Sequence, residues 1–496
     1  MNPYILVWSV CTFVETHVQE EIHLEELACL TGFSLPHIRD VFRKNTGISL
    51  SRYIQERKIA NAAQSLLYTD DNIIDIAIHY GYSGRTVFSR AFRRFTGYTP
   101  SQFRTKRSAI APIRLCAGIF GPDLPRKQED IESKVNSPSK KDICVKPENS
   151  NATILYGVPK VAYGEEGSTP FPMCVRSCTN YLGLPVDYTQ IMVEIGAAFR
   201  LVWDTACWNG SNVDAVFTFD QPEKTLACGM RVMGQSLKIL RRTPETKKET
   251  FTDFIRTQID SGHPIIALGI IGPPEACVIA GYRDRGDTLL GWNVFQEYPE
   301  YQAQVQFEQN GYFITKSWWE NPSTEALIAT EGDVLPPLSP KEVLQNAAEA
   351  LKGRMCMTQA KGILAYDAWK DALLHESDFP RDAVLPVLVE RMMCHGDAMD
   401  CLSDGRHHAA IYLRRLAEKY PAQTEKLNRA AQEFEHIIEI LWKEMIPVLG
   451  GWGRSEKQVY QLVKPENRHL FAAQIDRMKS HDQRAYTILC ELAEEL

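Results

Sequence analysis

GYSGRTVFSRAFRRFTGYTPSQFR, residues 81–104, places Gly81 before a short segment and then sets apolar and basic residues at helical spacing. The stretch has an earlier counterpart. AFRRFTGYTPSQF (91–103) answers VFRKNTGISLSRY (41–53), and IIDIAIHYGYS (73–83) answers LEELACLTGFS (24–34), at a spacing of 49 to 50 residues. Each copy predicts a helix carrying Ala28 or Ala77, a turn at Gly32 or Gly81, and a second helix ending in Phe and two bases. Alanine lets two helices approach closely and glycine makes the turn between them, which is the pattern of a helix-turn-helix. Between the copies, RYIQERKIANAAQSLLYTD (52–70) has apolar residues at helical spacing and predicts a connecting helix.

Charge divides the chain in the same place. The whole chain of 496 residues carries a net charge of −7, yet residues 1–107 hold 13 Lys and Arg against 10 Asp and Glu. Within 82–107 there are seven basic residues and no acid (Arg85, Arg90, Arg93, Arg94, Arg104, Lys106, Arg107). A basic stripe joined to an acidic remainder points to one nucleic-acid face attached to something with another task.

Residues 8–106 resemble the DNA-binding domain of AraC/XylS-type transcription regulators. The resemblance is carried by RKIANAAQSLL (57–67) and by the opening stretch. It implies an all-α double helix-turn-helix whose recognition helices, 35–43 and 84–94 here, enter successive major grooves of promoter DNA. The positions it turns to the bases are Pro36, Arg39 and Asp40 in the first helix and Arg85, Thr86 and Arg90 in the second. Arg43, Lys44, Arg93 and Arg94, near the helix ends, are expected to neutralise phosphates. Arginine can grip guanine through two hydrogen bonds, whereas phosphate contacts set register without reading sequence. Pro36 and Asp40 are weak base partners, so the second helix is expected to carry more of the specificity. Val41, Phe42, Val87, Phe88 and Phe92 are expected in the core.

Residues 108–152 read as a linker, because RKQEDIESKVNSPSKKDICVKPENSN (126–151) is polar and charged with little to bury. From 153 to 337 the character is α+β. FPMCVRSCTNYLG (171–183) predicts a helix opening after Pro172, and ETFTDFIRTQIDSG (249–262) another stopped by Gly262. HPIIALGII (263–271), ACVIAGYRD (276–284), DTLLGWNVF (287–295) and GYFITKSWW (311–319) predict strands. This order is similar to the papain-like fold, and in particular to C39-like peptidase relatives and the butirosin-biosynthesis acyltransferase type. That resemblance implies a Cys at a helix N-terminus facing a His from the sheet. Cys174 takes the first place, with Cys178 one turn on, but Glu275 stands where the His is expected. A carboxylate beside a thiol opposes its ionisation, so no catalytic residue is assigned and the domain reads as a degenerate, ligand-sensing one. Trp203, Asp204, Trp208, Glu275, Trp292, Asn293 and Trp318, with Cys174 and Cys178, are the expected lining of a cleft for an amphipathic or cationic small molecule. The alternative is a fused cysteine-dependent acyltransferase or hydrolase using Cys174.

Residues 338–496 predict a helical bundle throughout, opened by a capping-box-like SPKE (339–342) and similar to the helical extension of those acyltransferase relatives. These helices are expected to cover the cleft or to make a homodimer surface. His395, His407 and His408 are read as solvated or core residues, so neither metal nor cofactor is expected. Thirteen scattered cysteines without a CxxC pair, no apolar run long enough for a membrane helix and no signal-peptide pattern place the chain in the cytoplasm. The fold class expected is thus multidomain: double helix-turn-helix, papain-like α+β domain, helical bundle. The function expected is a ligand-responsive regulator that binds double-stranded promoter DNA and, if it activates, meets RNA polymerase.

Overall fold

In the computed structural model, residues 3–18, 22–46, 49–68, 71–96, 99–105, 144–145, 151–163, 167–208, 222–298, 301, 305–380 and 382–496 are described. Most of the expected linker, with Lys106 and Arg107, lies outside them. The N-terminal region is helical: α1 (Pro3–Thr16), α2 (Leu24–Thr31), α3 (Leu35–Thr46), α4 (Leu50–Tyr68), α5 (Ile73–His79), α6 (Arg85–Thr96) and α7 (Pro100–Thr105). Two small cores share one connecting helix. Leu50 and Tyr53 of α4 pack with Val7, Val10, Phe13, Leu27, Ile38 and Phe42. Ile59, Ala62 and Leu66, further along α4, pack with Ile76, Ala77, Phe88, Phe92 and Phe103. Each fully buried large apolar side chain contributes ~1.5–3 kcal/mol, so α4 ties the two units into one reader with a set spacing. Gly32 ends α2 in the left-handed region at φ 72° and donates its N–H to Ala28 O at 3.0 Å, a conformation that favours glycine.

The middle region is built on an antiparallel sheet. In chain order come β1 (Cys144–Val145), β2 (Thr153–Leu155), α8 (Pro170–Leu182), α9 (Tyr188–Glu194), β3 (Val202–Asp204), α10 (Pro222–Val232), β4 (Ser236–Arg241) and α11 (Lys248–Asp260). Then follow β5 (Ile265–Leu268), β6 (Ala276–Arg283), β7 (Thr288–Trp292), β8 (Gln306–Phe307), β9 (Phe313–Thr315) and β10 (Ala326–Glu331). The sheet order is β4-β10-β5-β6-β7-β9-β8, with β1 and β2 added beside β6. β5 and β6 are buried along nearly their whole length, because α8 packs on β5 and β6 and α11 packs on them as well. Continuous Ile, Val and Ala runs rather than alternation are what a strand covered on both faces requires.

The C-terminal part is helical apart from a small hairpin: α12 (Pro340–Leu351), β11 (Arg354–Cys356), β12 (Gln359–Lys361), α13 (Ile363–Leu374), α14 (Leu385–Lys419), α15 (Thr424–Ile440), α16 (Ile446–Leu449), α17 (Glu456–Leu462) and α18 (Pro465–Glu495). Ser339 and Glu342 form a reciprocal capping box at the start of α12. The hairpin pairs with β3, carrying the chain from the middle region into this part. One apolar core runs across residue 337, from Ile154 and Leu155 to Leu489 and Leu492. Buried polar groups pin the same seam. Arg406 of α14 donates to Asp482 of α18 and to the carbonyl of Ala198, and Tyr366 donates to Asp482 at 2.7 Å.

Candidate nucleic-acid interface and the region behind it

On α3 the chain buries Ile38 and Phe42 and exposes Pro36, His37, Arg39, Asp40, Arg43 and Lys44. α6 repeats the division, burying Phe88 and Phe92 and exposing Arg85, Thr86, Arg90, Arg93 and Arg94. Each helix therefore spends one face on its own core and leaves the opposite face free to enter a groove. All ten residues expected to meet DNA stand exposed, on one or other of these two helices. Asp40 is occupied by Lys44, one turn on, at 2.8 Å, so the first helix presents less free positive charge than its basic residues suggest.

Two residues depart from their expected places. Val41 is half-buried, and Val87 is 49% exposed, not core. Val87 precedes Arg90 by three residues and so shares its face, where an apolar side chain can meet a thymine methyl. Arg104, part of the basic stripe, donates to Leu66 O at 3.1 Å and Asp71 O at 2.7 Å. It caps the carbonyl end of α4, where positive charge is favoured, and is spent on structure.

Behind the reader, the residues expected to line one cleft fall into separate groups. Cys174 and Cys178 are fully buried in α8. The helix begins at Pro170 rather than after Pro172, which carries Cys174 a full turn inside and away from the free N–H groups of the end. Burial, then Cys277, Cys178 and Glu275 as neighbours, push the Cys174 thiol well above its ordinary value. Cys178 is pushed up to about 12 by burial. Glu275 is half-buried at the head of β6 and accepts from the Tyr163 hydroxyl at 3.2 Å. Asn293 uses its side chain on Ile271 O and the Phe295 N–H, shaping the turn after β7. His263, the histidine nearest in sequence, is exposed and lies 3.2 Å from Ser261.

The tryptophans do not share one wall. Trp203 stacks on Trp369 at 5.9 Å and meets Trp208 edge-on at 5.3 Å, beside the small hairpin. The Trp208 indole donates to Asp378, Arg391 lies over its ring, and Asp204 accepts from the Ala206 N–H. Trp292, at the end of β7, donates to Val158 O, and Trp318 is buried with its indole N–H on Gly286 O and Asp287 O. Indole N–H groups satisfied by backbone in this way belong to packing.

An acidic face of α14 was not singled out in the sequence. Arg454, in the turn before α17, pairs with both Asp397 and Asp400, the latter at 2.6 Å. Gly396 permits this approach, since a Cβ there would meet Arg454 Nε at 2.6 Å. Desolvation pushes the Asp400 carboxyl up to about 7 despite Arg454, with Asp397 and Asp404 adding to the rise. One turn on, Asp404 accepts from Ser168 N, the Thr169 hydroxyl and the Tyr188 hydroxyl, latching the start of α8.

The reader touches this helical part. α1 packs on α14 and α17, and α2 on α14. A Cβ on Gly32 would meet Val384 at 2.9 Å. His17 lies 3.8 Å from Glu456 at the start of α17.

Comparison with known proteins agrees with the geometry of the first hundred residues. Residues 27–106 match the family model described as a helix-turn-helix domain. The chain is similar to an uncharacterized HTH-type transcriptional regulator, YbfP, of Bacillus subtilis (strain 168), 37% identical over 99 residues, covering 20% of this chain and 34% of that protein. It is also similar to an uncharacterized HTH-type transcriptional regulator of Staphylococcus aureus (strain MSSA476), 30% identical over 168 residues, covering 31% of this chain and 22% of that protein. The chain thus spans about a third or less of the length of these relatives. Among solved structures, the C-terminal domain of AraT, a response regulator from Geobacillus stearothermophilus, matches at 26% identity and TM-score 0.20, covering 22% of this chain and 88% of that one. Among the described residues no helix is long and apolar enough to cross a membrane. The N-terminal region is an AraC-type helix-turn-helix DNA-binding domain.

Proposed function

We propose that the chain is a transcription regulator that binds double-stranded promoter DNA through α3 and α6 and answers to a small molecule held by its C-terminal part. The observation that carries the reading is the pair of arginine-bearing faces, Arg39 and Arg43 on α3 and Arg85, Arg90, Arg93 and Arg94 on α6, left open by two cores built on one shared helix. On this reading Arg90 and Arg85, with Thr86 and Val87, read bases, while Arg43, Lys44, Arg93 and Arg94 hold phosphates.

The papain-like reading of residues 153–337 is supported by α8 lying across β5 and β6. The thiol of Cys174, raised by burial and set beside Glu275 rather than an imidazole, favours a domain that binds over one that cleaves. Glu275, Tyr163, Asp397 and Asp400 suit an amphipathic or cationic effector. A ligand that competes for Asp397 and Asp400 would loosen Arg454, and α17 then transmits the change to α1. Such coupling needs the effector to bind the two arrangements with different affinity.

The test is anisotropy of the full chain on a promoter fragment from its own locus. The logarithm of the binding constant should fall linearly with the logarithm of salt, because neutralised phosphates release counterions. Binding that is absent at low salt overturns the DNA reading. A thermal-shift screen of amines and amphiphiles tests the sensing half. A hit whose stabilisation survives Asp397→Asn with Asp400→Asn contradicts the placement of the effector.

A further inference from the structure

Glu433 and His436 are one turn apart on α15, so their side chains leave the same face. That face meets α18, an antiparallel neighbour whose His481 reaches the same point. A carboxylate oxygen of Glu433 and one ring nitrogen from each histidine all lie within 4.8 Å of one another. The two imidazole rings are 4.9 Å apart, centre to centre, and tilted by 38°. No other cluster of three such side chains this close occurs among the described residues.

We propose that Glu433, His436 and His481 form a mononuclear site for a divalent metal of the zinc class. Two imidazoles and one carboxylate are a donor set that zinc accepts, with a fourth position left to water. Tetrahedral bonds of about 2.0–2.2 Å set donor atoms roughly 3.3–3.6 Å apart, so separations of up to 4.8 Å close by roughly 1.2–1.5 Å and the 2.6 Å contact of His481 with Glu433 opens, by side-chain rotation.

Hydrogen bonding in the cluster is unfinished in two ways that a cation resolves. His436 Nδ1 is buried and has no hydrogen-bond partner; such an atom costs about 1–3 kcal/mol when left unmade. His481 Nδ1 is oversubscribed. It lies 2.6 Å from Glu433 Oε2, which only accepts, and 2.7 Å from Arg484 Nη2, which only donates. One ring nitrogen cannot serve both. Arg484 also donates to both oxygens of Glu433 at 3.0 Å, but its side chain is 51% exposed and free to swing into solvent. A bound dication takes over its role of balancing Glu433. The metal would clamp α15 to α18, two helices of the core of the C-terminal part.

The experiment uses the tag-free full chain, stripped with chelator and titrated with Zn2+ calorimetrically, with Co2+ absorption as a second readout. The expected result is one high-affinity Zn2+ per chain, lost or weakened at least ~10-fold in His436→Gln and in His481→Gln, and Co2+ bands without thiolate charge transfer. Arg484→Ala removes the competitor and is expected to tighten binding several-fold. Equal uptake by the wild type and by the His436→Gln, His481→Gln double variant overturns the proposal. So does absence of uptake, a thiolate band, or weaker binding in Arg484→Ala.

Discussion

His17, at the end of the first helix of the reader, stands 3.8 Å from Glu456, two residues beyond the Arg454 that bridges Asp397 and Asp400. Glu456 is buried and its Oε2 has no hydrogen bond, and the His17 ring faces that oxygen. Three links therefore join the acidic face of α14 to the DNA-binding region: the carboxylate pair, the turn that carries Arg454, and the first residue of α17.

Breaking the last link should free the first helix and leave the second reading unit intact. In His17→Ala, amide exchange over residues 3–16 is expected to quicken severalfold while exchange in α6 stays unchanged. Unaltered exchange in α1 would show that the contact with α17 does not hold it.

Cys174 should behave as a packed residue. At neutral pH a thiol probe is expected to label exposed Cys29 and Cys207 and to leave Cys174 unmodified until the chain is denatured, because burial raises its pKa and denies access. Selective labelling of Cys174 in the native protein would revive the acyltransferase reading.

Asp400 makes a pH-dependent contribution whose sign is set by the direction of its shift. The folded state holds its proton up to about 7 against an ordinary value of 3.8, so the fold binds more protons at this group than the unfolded chain does. The stabilisation is full below about pH 4 and is lost as pH rises through 7. Thermal unfolding of Asp400→Asn compared with wild type should show a difference in the variant's favour that grows from pH 5 to pH 8. A difference independent of pH would mean that Asp400 titrates normally.

Phe88 and Phe92 meet at 5.4 Å, and Phe92 meets Phe103 at 5.2 Å, in the second core. Phe92→Ala should destabilise that unit by about 3–5 kcal/mol and abolish specific DNA binding while the sheet region keeps its own unfolding transition. DNA binding at wild-type affinity would contradict the assignment of this core.

What was legible in sequence followed from local pattern. The duplicated Gly turns and the Phe-x-x-x-Phe of α6 are short-range signals, and they name an architecture whose two small cores are each built from neighbouring helices. Strands and helices of the middle region were legible for the same reason, with ends shifted by a few residues. The separation of the expected cleft residues was not, because long-range packing decides where each of them goes. Trp203 joins Trp369, Trp318 turns to the carbonyls of residues 286 and 287, and the acidic face needs Arg454 to come back across 54 residues to Asp400. Val87 was misplaced because an apolar residue at helical spacing looks the same whether it faces a core or a groove. The sequence does not pair His436 with His481, because they stand on two different helices, α15 and α18.

The most direct measurement compares the wild type with Arg90→Ala and Arg94→Ala on the specific fragment and on unrelated DNA across a salt series. Arg90→Ala should lose about 1–3 kcal/mol on the specific site, roughly 10- to 100-fold, and little on unrelated DNA. Arg94→Ala should weaken both alike and lower the salt slope by about 0.9. Unchanged specificity in Arg90→Ala would contradict the claim that α6 reads the bases.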